Sequence, residues 1–453
     1  MKNYDVIVIG SGCGMLITEE AVGHDRKAAM IDRGPLIGGT CLNWGCIPSK
    51  MLIYPADRIV EVRDAGKLGI TAEVKDVDFH AIMERMRESR RESQKQLREG
   101  ISQVEGMDFY EGEASFSAEY KLEVNGEELK GEKIFIASGS RPLVPPIKGL
   151  EDVDYLDNES VLELDERPES LIIVGGGYVA VEYAHFFAAM GTRVTILEMV
   201  DRLVLSEEPE IAELLKENLS RRMDVHTGAK VEEVKSEGKR VKVTASKKTG
   251  ERSDYTAERM MMAVGRRSNA DLLKVENTGV ELDDRGYIKV NEHMETNMKN
   301  IYAVGDANGH QMFTHMANRE AAIAAHNVLH DAELAVDYSA VPHAVYSYPQ
   351  IASVGLKEED ARKNHKVLVG KTKYYDTAKG EAMMETEAFA KAIVEEETGK
   401  ILGFHLIGPY APVLVQEAVN AMASGGGLDE INGGIHIHPA LSEIVPMTFG
   451  GIG

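Results

Sequence analysis

Residues Tyr4 to Gly10 (YDVIVIG) form an unbroken apolar run that enters a series of glycines. That is the pattern of a parallel strand buried on both faces. Gly10, Gly12 and Gly14 follow, then a helical stretch with a polar face, then a second apolar run, AAMID, ending at Asp32. The layout recurs about 165 residues on: LIIV runs into Gly175-Gly-Gly177-Tyr178-Val-Ala180, a helix (VEYAHFFAAMG) and the strand RVTILE ending at Glu198. Residues 80–105, rich in Glu, Arg and Gln, read as a long solvated helix. FIASGS (Phe135 to Ser140), MMAVGR (Met261 to Arg266) and Ile301 to Asp306 read as further strands ending at glycines, and RPLVPPIKG as a crossing between units. Beyond about residue 340 strand and helix patterns alternate with no glycine fingerprint, as in an α+β domain.

A chain of 453 residues is long enough for about three domains. The boundaries expected are 1–150 and 273–340 for the two parts of a first dinucleotide-binding domain, 151–272 for a second, and 341–453 for the C-terminal domain. With 43% hydrophobic and 28% charged residues the composition is that of a globular protein. No apolar run approaches the ~18 residues of a membrane span, and the N-terminus lacks a secretory pattern, so a cytoplasmic location is expected. A net charge of −23 argues against nucleic acid and anionic membrane surfaces as partners.

A dinucleotide fingerprint works because glycines let the backbone approach a pyrophosphate at a helix N-terminus, while an acid about 20 residues on accepts from the ribose hydroxyls. Gly10, Gly12 and Asp32 fit, but Met15 occupies the third glycine position, which predicts a helix set slightly farther from its strand there. Gly175, Gly177, Ala180 and Glu198 form the second site. An acid at that strand end favours NAD(H), since it repels a 2′-phosphate. Two such sites in one chain imply electron transfer between FAD and a nicotinamide. The predicted fold is therefore α/β, with two Rossmann-like domains (FAD and NAD) and a C-terminal α+β domain.

The segment TCLNWGCIPSK holds Cys41 and Cys46, two of the three cysteines, and the only tryptophan, Trp44. Three readings stand: a metal site, two unrelated buried cysteines, or a redox disulfide. Zinc takes four ligands, and no histidine or further cysteine is close in sequence, so no metal site is expected. Residues five apart on a regular helix are separated by roughly 7.5 Å along its axis, beyond comfortable disulfide reach. A bridge would need a distorted helix start, for which Gly38, Gly39 and Gly45 supply freedom. Pro48 then suits a clean helix start. Cys13, in the first glycine loop, reads as a small residue fitting a tight turn.

With its neighbours, GGTCLNWGCIPSK resembles the active-site segment of the pyridine nucleotide–disulfide oxidoreductases. The resemblance extends through ASGSRP (Ala137 to Pro142), AVGRR (Ala263 to Arg267), YAVGDA (Tyr302 to Ala307), YPQIASVG (Tyr348 to Gly355) and HIHPALSE (His436 to Glu443). It implies a disulfide between Cys41 and Cys46, with Cys46 beside the flavin and Cys41 exchanging with substrate. It implies that His438 moves the proton, that Glu443 orients it, and that this histidine serves the other subunit of a homodimer through a C-terminal dimerisation domain. Lys50 and Glu182 match an ion pair beside the flavin. Asp306 matches a ribityl contact, and Thr314-His315 a backbone contact to the flavin ring. Gly14, Gly39, Thr40, Ser138, Gly139 and Gly265 fall in the cofactor-binding motifs, with Tyr178 at the nicotinamide pocket. Trp44 departs from the small aliphatic of most members; it reads as filling space under the redox loop or as shaping disulfide access.

The motifs divide over substrate. Met199 and Leu205 stand where NADP-linked members carry arginines, which implies NAD, with NADP as the alternative, and the dihydrolipoamide dehydrogenase branch. Tyr178 and Ala180 look more like glutathione reductase. HMANREAAIAAHN and Met51-Leu-Ile-Tyr54 pull toward mycothione reductase. The C-terminus lacks the cysteine pair of mercuric reductase. The expectation is a dihydrolipoamide dehydrogenase-like enzyme acting on a small dithiol or disulfide, with a lipoyl-bearing domain as candidate partner. The alternative is an NAD(P)H-dependent reductase of a low-molecular-weight disulfide, similar to mycothione or glutathione reductase.

Overall fold

The computed structural model describes residues 1–452. The chain forms two compact units, each assembled from three segments: 1–49, 84–143 and 265–337 in the first, and 50–83, 144–264 and the chain from 338 onward in the second.

The first unit is built on a seven-stranded sheet. Strands β1 (Lys2–Ile9), β2 (Ala28–Asp32) and β3 (Met107–Glu111) are parallel neighbours, and β6 (Glu127–Ile136) flanks β1 on the other side. The start of β6 pairs with antiparallel β5 (Lys121–Val124), which pairs with β4 (Ala114–Ala118). The end of β6 pairs with parallel β16 (Ile301–Ala303). Val6, Ile7, Val8 and Ile9 are all buried. Successive side chains point to opposite faces, so both faces of β1 are covered, which is why this strand reads as continuous rather than alternating. A short ladder joins β7 (Ser140–Pro142) to β15 (Arg266–Ser268).

In the second unit, a parallel sheet runs in the order β10 (Asp224–Thr227), β9 (Arg193–Glu198), β8 (Ser170–Val174), β14 (Arg259–Met262). An antiparallel sheet of β11 (Ala229–Glu237), β12 (Arg240–Lys247) and β13 (Arg252–Ala257) follows. The C-terminal part carries a five-stranded antiparallel sheet in the order β17 (Pro342–Val345), β18 (Ile351–Gly355), β21 (Ile401–Ile407), β20 (Phe389–Glu395), β19 (Val367–Lys373). Phe404 and Leu406 of that sheet share a core with Leu414, Ile444 and Phe449 from the C-terminal helices. The architecture is the predicted α/β one.

The helices that position the site are α1 (Gly14–Gly23), α2 (Gly39–Asn43), α3 (Cys46–Asp64), α4 (Phe79–Ser102), α5 (Tyr178–Ala189), α6 (Pro209–Ser220) and α7 (Thr314–His330). Two expectations are corrected. Helix α4 is not solvated on every side: Met83 and Met86 are buried along it together with the polar Arg87 and Gln94. Met15 does not hold α1 away from the sheet. The close approach is made at Gly14, where a Cβ would lie 2.6 Å from Val8 Cγ1.

Candidate active site

The redox segment is a broken helix. α2 ends at Asn43, Trp44 leaves helical space (φ −140°, ψ 8°), and α3 starts at Cys46. The break falls between the two cysteines, which is the distortion their five-residue spacing requires. Pro48 lies in the first turn of α3, where its missing N–H leaves no bond unmade. In this structure Cys41 and Cys46 stand as a reduced pair of thiols, hydrogen-bonded to one another. That hydrogen bond and burial push the Cys41 thiol far above its ordinary value. Cys46 is exposed, with Sγ 3.6 Å from Thr314 Oγ1. Thr314 is the first residue of the 17-residue helix α7. A helix N-terminus favours negative charge, so this setting favours a thiolate on Cys46.

A buried polar network that the sequence did not announce pins the segment. Asn43 donates to the carbonyls of Ile37 (2.8 Å) and Gly39 (3.0 Å). Gln94 of α4 donates to Ile37 O and to Asn43 Oδ1 (2.8 Å), and accepts from Ile37 N–H (3.0 Å). Trp44 is half-buried beside them. A lone glutamine in a polar helix gives no local signal of this role.

The first fingerprint builds a cradle in the same unit. Gly10 has φ +107°, and a Cβ there would strike the Ala137 carbonyl at 2.2 Å. Gly12 and Gly39 lie backbone to backbone, a Cβ on Gly39 falling 2.8 Å from Gly12 Cα, with Thr40 next on α2. Asp32, at the end of β2, accepts from Ser11 N–H (2.9 Å), Ser11 Oγ (2.5 Å) and Gly34 N–H (3.1 Å). Ser138 Oγ is buried without a hydrogen-bond partner, and the space beside Gly139 is open. An orphaned hydroxyl next to open backbone is what a polar cofactor would satisfy, so these residues fit FAD. Asp306 is oriented by Ser140 Oγ (2.5 Å), itself held by Arg266 Nε (2.6 Å). Buried Glu320 accepts from Gly305 N–H (2.7 Å) and Asn308 (2.8 Å), fixing the same turn. An acid within an apolar helix face was the signal for Glu320. His315 stacks on Phe313 at 5.5 Å in the first turn of α7. Gly265 accepts from Leu143 N–H (2.9 Å) between β14 and β15. The Cys13 thiol is pushed up to about 12 by burial, then by the Glu320 and Asp306 charges, which suits an inert packing residue.

The second fingerprint lies in the second unit. Gly175 repeats the Gly10 geometry, with φ +115° and a would-be Cβ 2.3 Å from the Ala263 carbonyl. Gly177 caps α5 over open space, Tyr178 opens the helix partly exposed, and Ala180 is fully buried. Glu198 ends β9 and accepts from Val200 N–H (2.7 Å), while Met199 and Leu205 are exposed. No arginine stands at those two positions, so the cradle fits NAD. In the same unit Lys50 Nζ donates to both oxygens of buried Glu182 (3.1 and 2.9 Å), whose Oε1 also accepts from Tyr346 N–H (3.0 Å). Lys50 lies 4.4 Å above the Tyr346 ring.

His438 and Glu443 are brought together. His438 Nδ1 lies 2.8 Å from Glu443 Oε1, and Glu443 Oε2 accepts from Ala440 N–H (2.9 Å). The Ala440 N–H and His438 hold the carboxyl below its ordinary range. A carboxylate acceptor makes Nδ1 the protonated nitrogen, leaving Nε2 as the atom that can exchange a proton. The His438 side chain is 70% exposed.

Among the described residues no helix is long and apolar enough to cross a membrane. Residues 4–321 match the family model described as pyridine nucleotide-disulphide oxidoreductase, and residues 341–448 match its dimerisation domain. The chain is 34% identical to mycothione reductase from Mycobacterium tuberculosis, over 98% of each chain. It is 35% identical to a dihydrolipoyl dehydrogenase from Bacillus subtilis, over 96% of each. A solved Cu(II) complex of the HOCl-induced flavoprotein disulfide reductase RclA from Escherichia coli superposes with a TM-score of 0.89 at 28% identity, over 99% of each chain. The protein belongs to the pyridine nucleotide–disulphide oxidoreductase family, as an FAD-containing, NAD(P)-dependent disulfide oxidoreductase with a C-terminal dimerisation domain.

Proposed function

We propose that this enzyme passes electrons between NAD(H) and a small dithiol or disulfide, with dihydrolipoamide and lipoamide as the favoured pair. The observation that carries the reading is the Cys41–Cys46 thiol pair at a helix break, with Cys46 at the N-terminus of α7. FAD, when bound, supplies two-electron redox chemistry between the nicotinamide and this pair. Cys46 is the thiol held as a thiolate. Cys41, whose thiol is pushed up, needs a base before it can attack a substrate disulfide. His438, oriented by Glu443, is that base; its exposed imidazole serves the partner subunit of a homodimer. Gly10, Gly12, Gly14, Asp32, Gly39, Thr40, Ser138, Gly139, Gly265, Asp306 and His315 hold FAD, while Gly175, Gly177, Tyr178, Ala180 and Glu198 hold NAD. Lys50 and Glu182 act at the flavin side. Buried Glu198 beside exposed Met199 and Leu205 supports NAD over NADP.

A second reading, reduction of a low-molecular-weight disulfide such as mycothione, is favoured by the exposed Tyr178 at the open start of α5 and by the full-length likeness to mycothione reductase. A steady-state panel separates them: NADH and NADPH against lipoamide, glutathione disulfide, mycothione and coenzyme A disulfide, with dihydrolipoamide plus NAD⁺ in reverse. Fast NAD⁺-linked oxidation of dihydrolipoamide supports the first. Slow lipoamide turnover beside a fast rate on another disulfide replaces it with the second. A Cys41→Ser enzyme that still turns over disulfides would overturn both.

A further inference from the structure

Helices α1 and α7 run side by side in one direction. Their starts meet where Cys13, the residue before α1, lies against Gly305 and Ala317, a Cβ on Gly305 falling 3.3 Å from Cys13 Sγ and 3.1 Å from Ala317 Cβ. Their ends therefore meet too. His24 caps α1 and His330 is the last residue of α7. At that meeting point Glu20 Oε1 lies 3.7 Å from His330 Nε2 and 4.0 Å from His24 Nδ1. One ligand atom from each of Glu20, His24 and His330 falls within 4.8 Å of the others. The His24 and His330 rings are 4.7 Å apart, and His326, one turn before His330, lies 4.5 Å from its ring.

We propose that Glu20, His24 and His330 bind a borderline divalent transition-metal ion of the Zn²⁺ type, with His326 as a fourth donor. Two features carry this. Two i,i+4 pairs, Glu20/His24 and His326/His330, each present two donors on one side of a helix, the spacing that suits chelation. Three imidazoles and a carboxylate make a nitrogen-rich set of four, which suits Zn²⁺ rather than a hard cation or one that demands thiolate.

The field agrees with the donors. Helix C-termini carry partial negative charge, and two of them converge here. Metal–ligand bonds of about 2.0–2.1 Å set tetrahedral donors roughly 3.3 Å apart, so Glu20, His24 and His330 must close by up to about 1.5 Å. Side chains of about 40% exposure can turn that far. The ligands come from opposite ends of the first unit's sequence, which is why no motif announces them. None of the four donors is among the residues of the proposed function, and the site does not rest on that reading.

The test is calorimetric titration of Zn²⁺ into oxidised holoenzyme, in which Cys41 and Cys46 are tied in a disulfide, alongside the His24→Gln, His330→Gln and His326→Gln variants. One Zn²⁺ per chain is expected, with affinity falling at least tenfold in the His24 and His330 variants, the scale on which metal-shell changes act. Zinc should also raise the Tm of the wild type and not of those two variants. Exposed positions should leave the zinc-free Tm unchanged, so lost binding is not lost folding. No binding up to millimolar Zn²⁺ would overturn the proposal. So would equal affinity in wild type, His24→Gln and His330→Gln, which would place the ion elsewhere.

Discussion

Glu182 holds Lys50 through both carboxylate oxygens while accepting the Tyr346 backbone N–H, and it does so 5% exposed on α5. The acid is desolvated and the lysine is not fully so, which makes the carboxylate the costly partner to leave alone. Glu182→Leu should keep the fold but remove the carboxylate from Lys50 and leave the Tyr346 N–H without its acceptor. Lys50→Met should strand the buried carboxylate, and is expected to destabilise by about 1–3 kcal/mol, less than a fully buried pair because Lys50 reaches water. The double variant should lose less than the sum of the singles. Denaturant titration of all three reads the coupling, and strictly additive losses would mean the pair does not act as a unit.

His438→Ala should lower disulfide turnover by ~100-fold or more, as expected on loss of a general acid–base group. Glu443→Gln should lower it less, since the imidazole remains while its orientation and tautomer loosen. The pH–rate profile distinguishes the roles: the Glu443→Gln profile should shift, whereas a merely structural Glu443 would lower the rate at every pH alike. Equal rates for wild type and His438→Ala would remove His438 from the mechanism.

Gln94→Leu should cost about 2–4 kcal/mol, because it leaves Ile37 N–H and Asn43 Oδ1 buried without partners. The redox loop should loosen with it. Iodoacetamide should then label Cys41 faster in the reduced variant than in the reduced wild type. Unchanged stability and labelling would mean water replaces the glutamine at no cost.

Glu198→Ala combined with Leu205→Arg should move the kcat/KM ratio toward NADPH by about tenfold or more, the worth of one charge-assisted phosphate contact. A ratio unchanged from wild type would show that cofactor choice is set elsewhere.

His185 is fully buried, 2.8 Å from Asp57 Oδ1 and 3.1 Å from Arg222. Burial lowers its pKa below the ordinary 6.5, outweighing the Asp57 hydrogen bond that raises it; the Arg222 charge lowers it further. The unfolded chain therefore binds a proton that the folded chain refuses. Stability should be fully present above pH 6.5 and fall as the pH drops below it. His185→Gln should flatten the Tm-against-pH curve in that acid window while lowering Tm at pH 8. Parallel curves for both proteins would mean the acid lability lies in other groups, of which buried His405 is the next candidate.

The two fingerprints were legible because their physics is local. A strand, a glycine turn and a helix start lie within a few residues of one another, and an acid marks the next strand end. Gly10, Gly175, Asp32 and Glu198 could be placed from that spacing alone. The helix break between Cys41 and Cys46 was legible for the same reason, as a short-range conflict between helix geometry and disulfide reach. Met15 misled because the pattern fixes a glycine by position, whereas the packing needed only one glycine facing Val8, and Gly14 supplied it.

Other relationships depend on residues far apart in the chain meeting in space. Gln94 under the redox loop, Tyr346 beside Glu182 and the Glu20–His24–His330 group carry no local mark, since a polar residue is ordinary until a neighbour meets it. The sequence by itself determined the order of strands and helices, the two nucleotide cradles and the redox pair, because backbone sterics and hydrophobic period act over short spans. Only the tertiary structure decided which polar groups are desolvated and therefore must pair, because burial is a property of the packed chain and not of any segment of it.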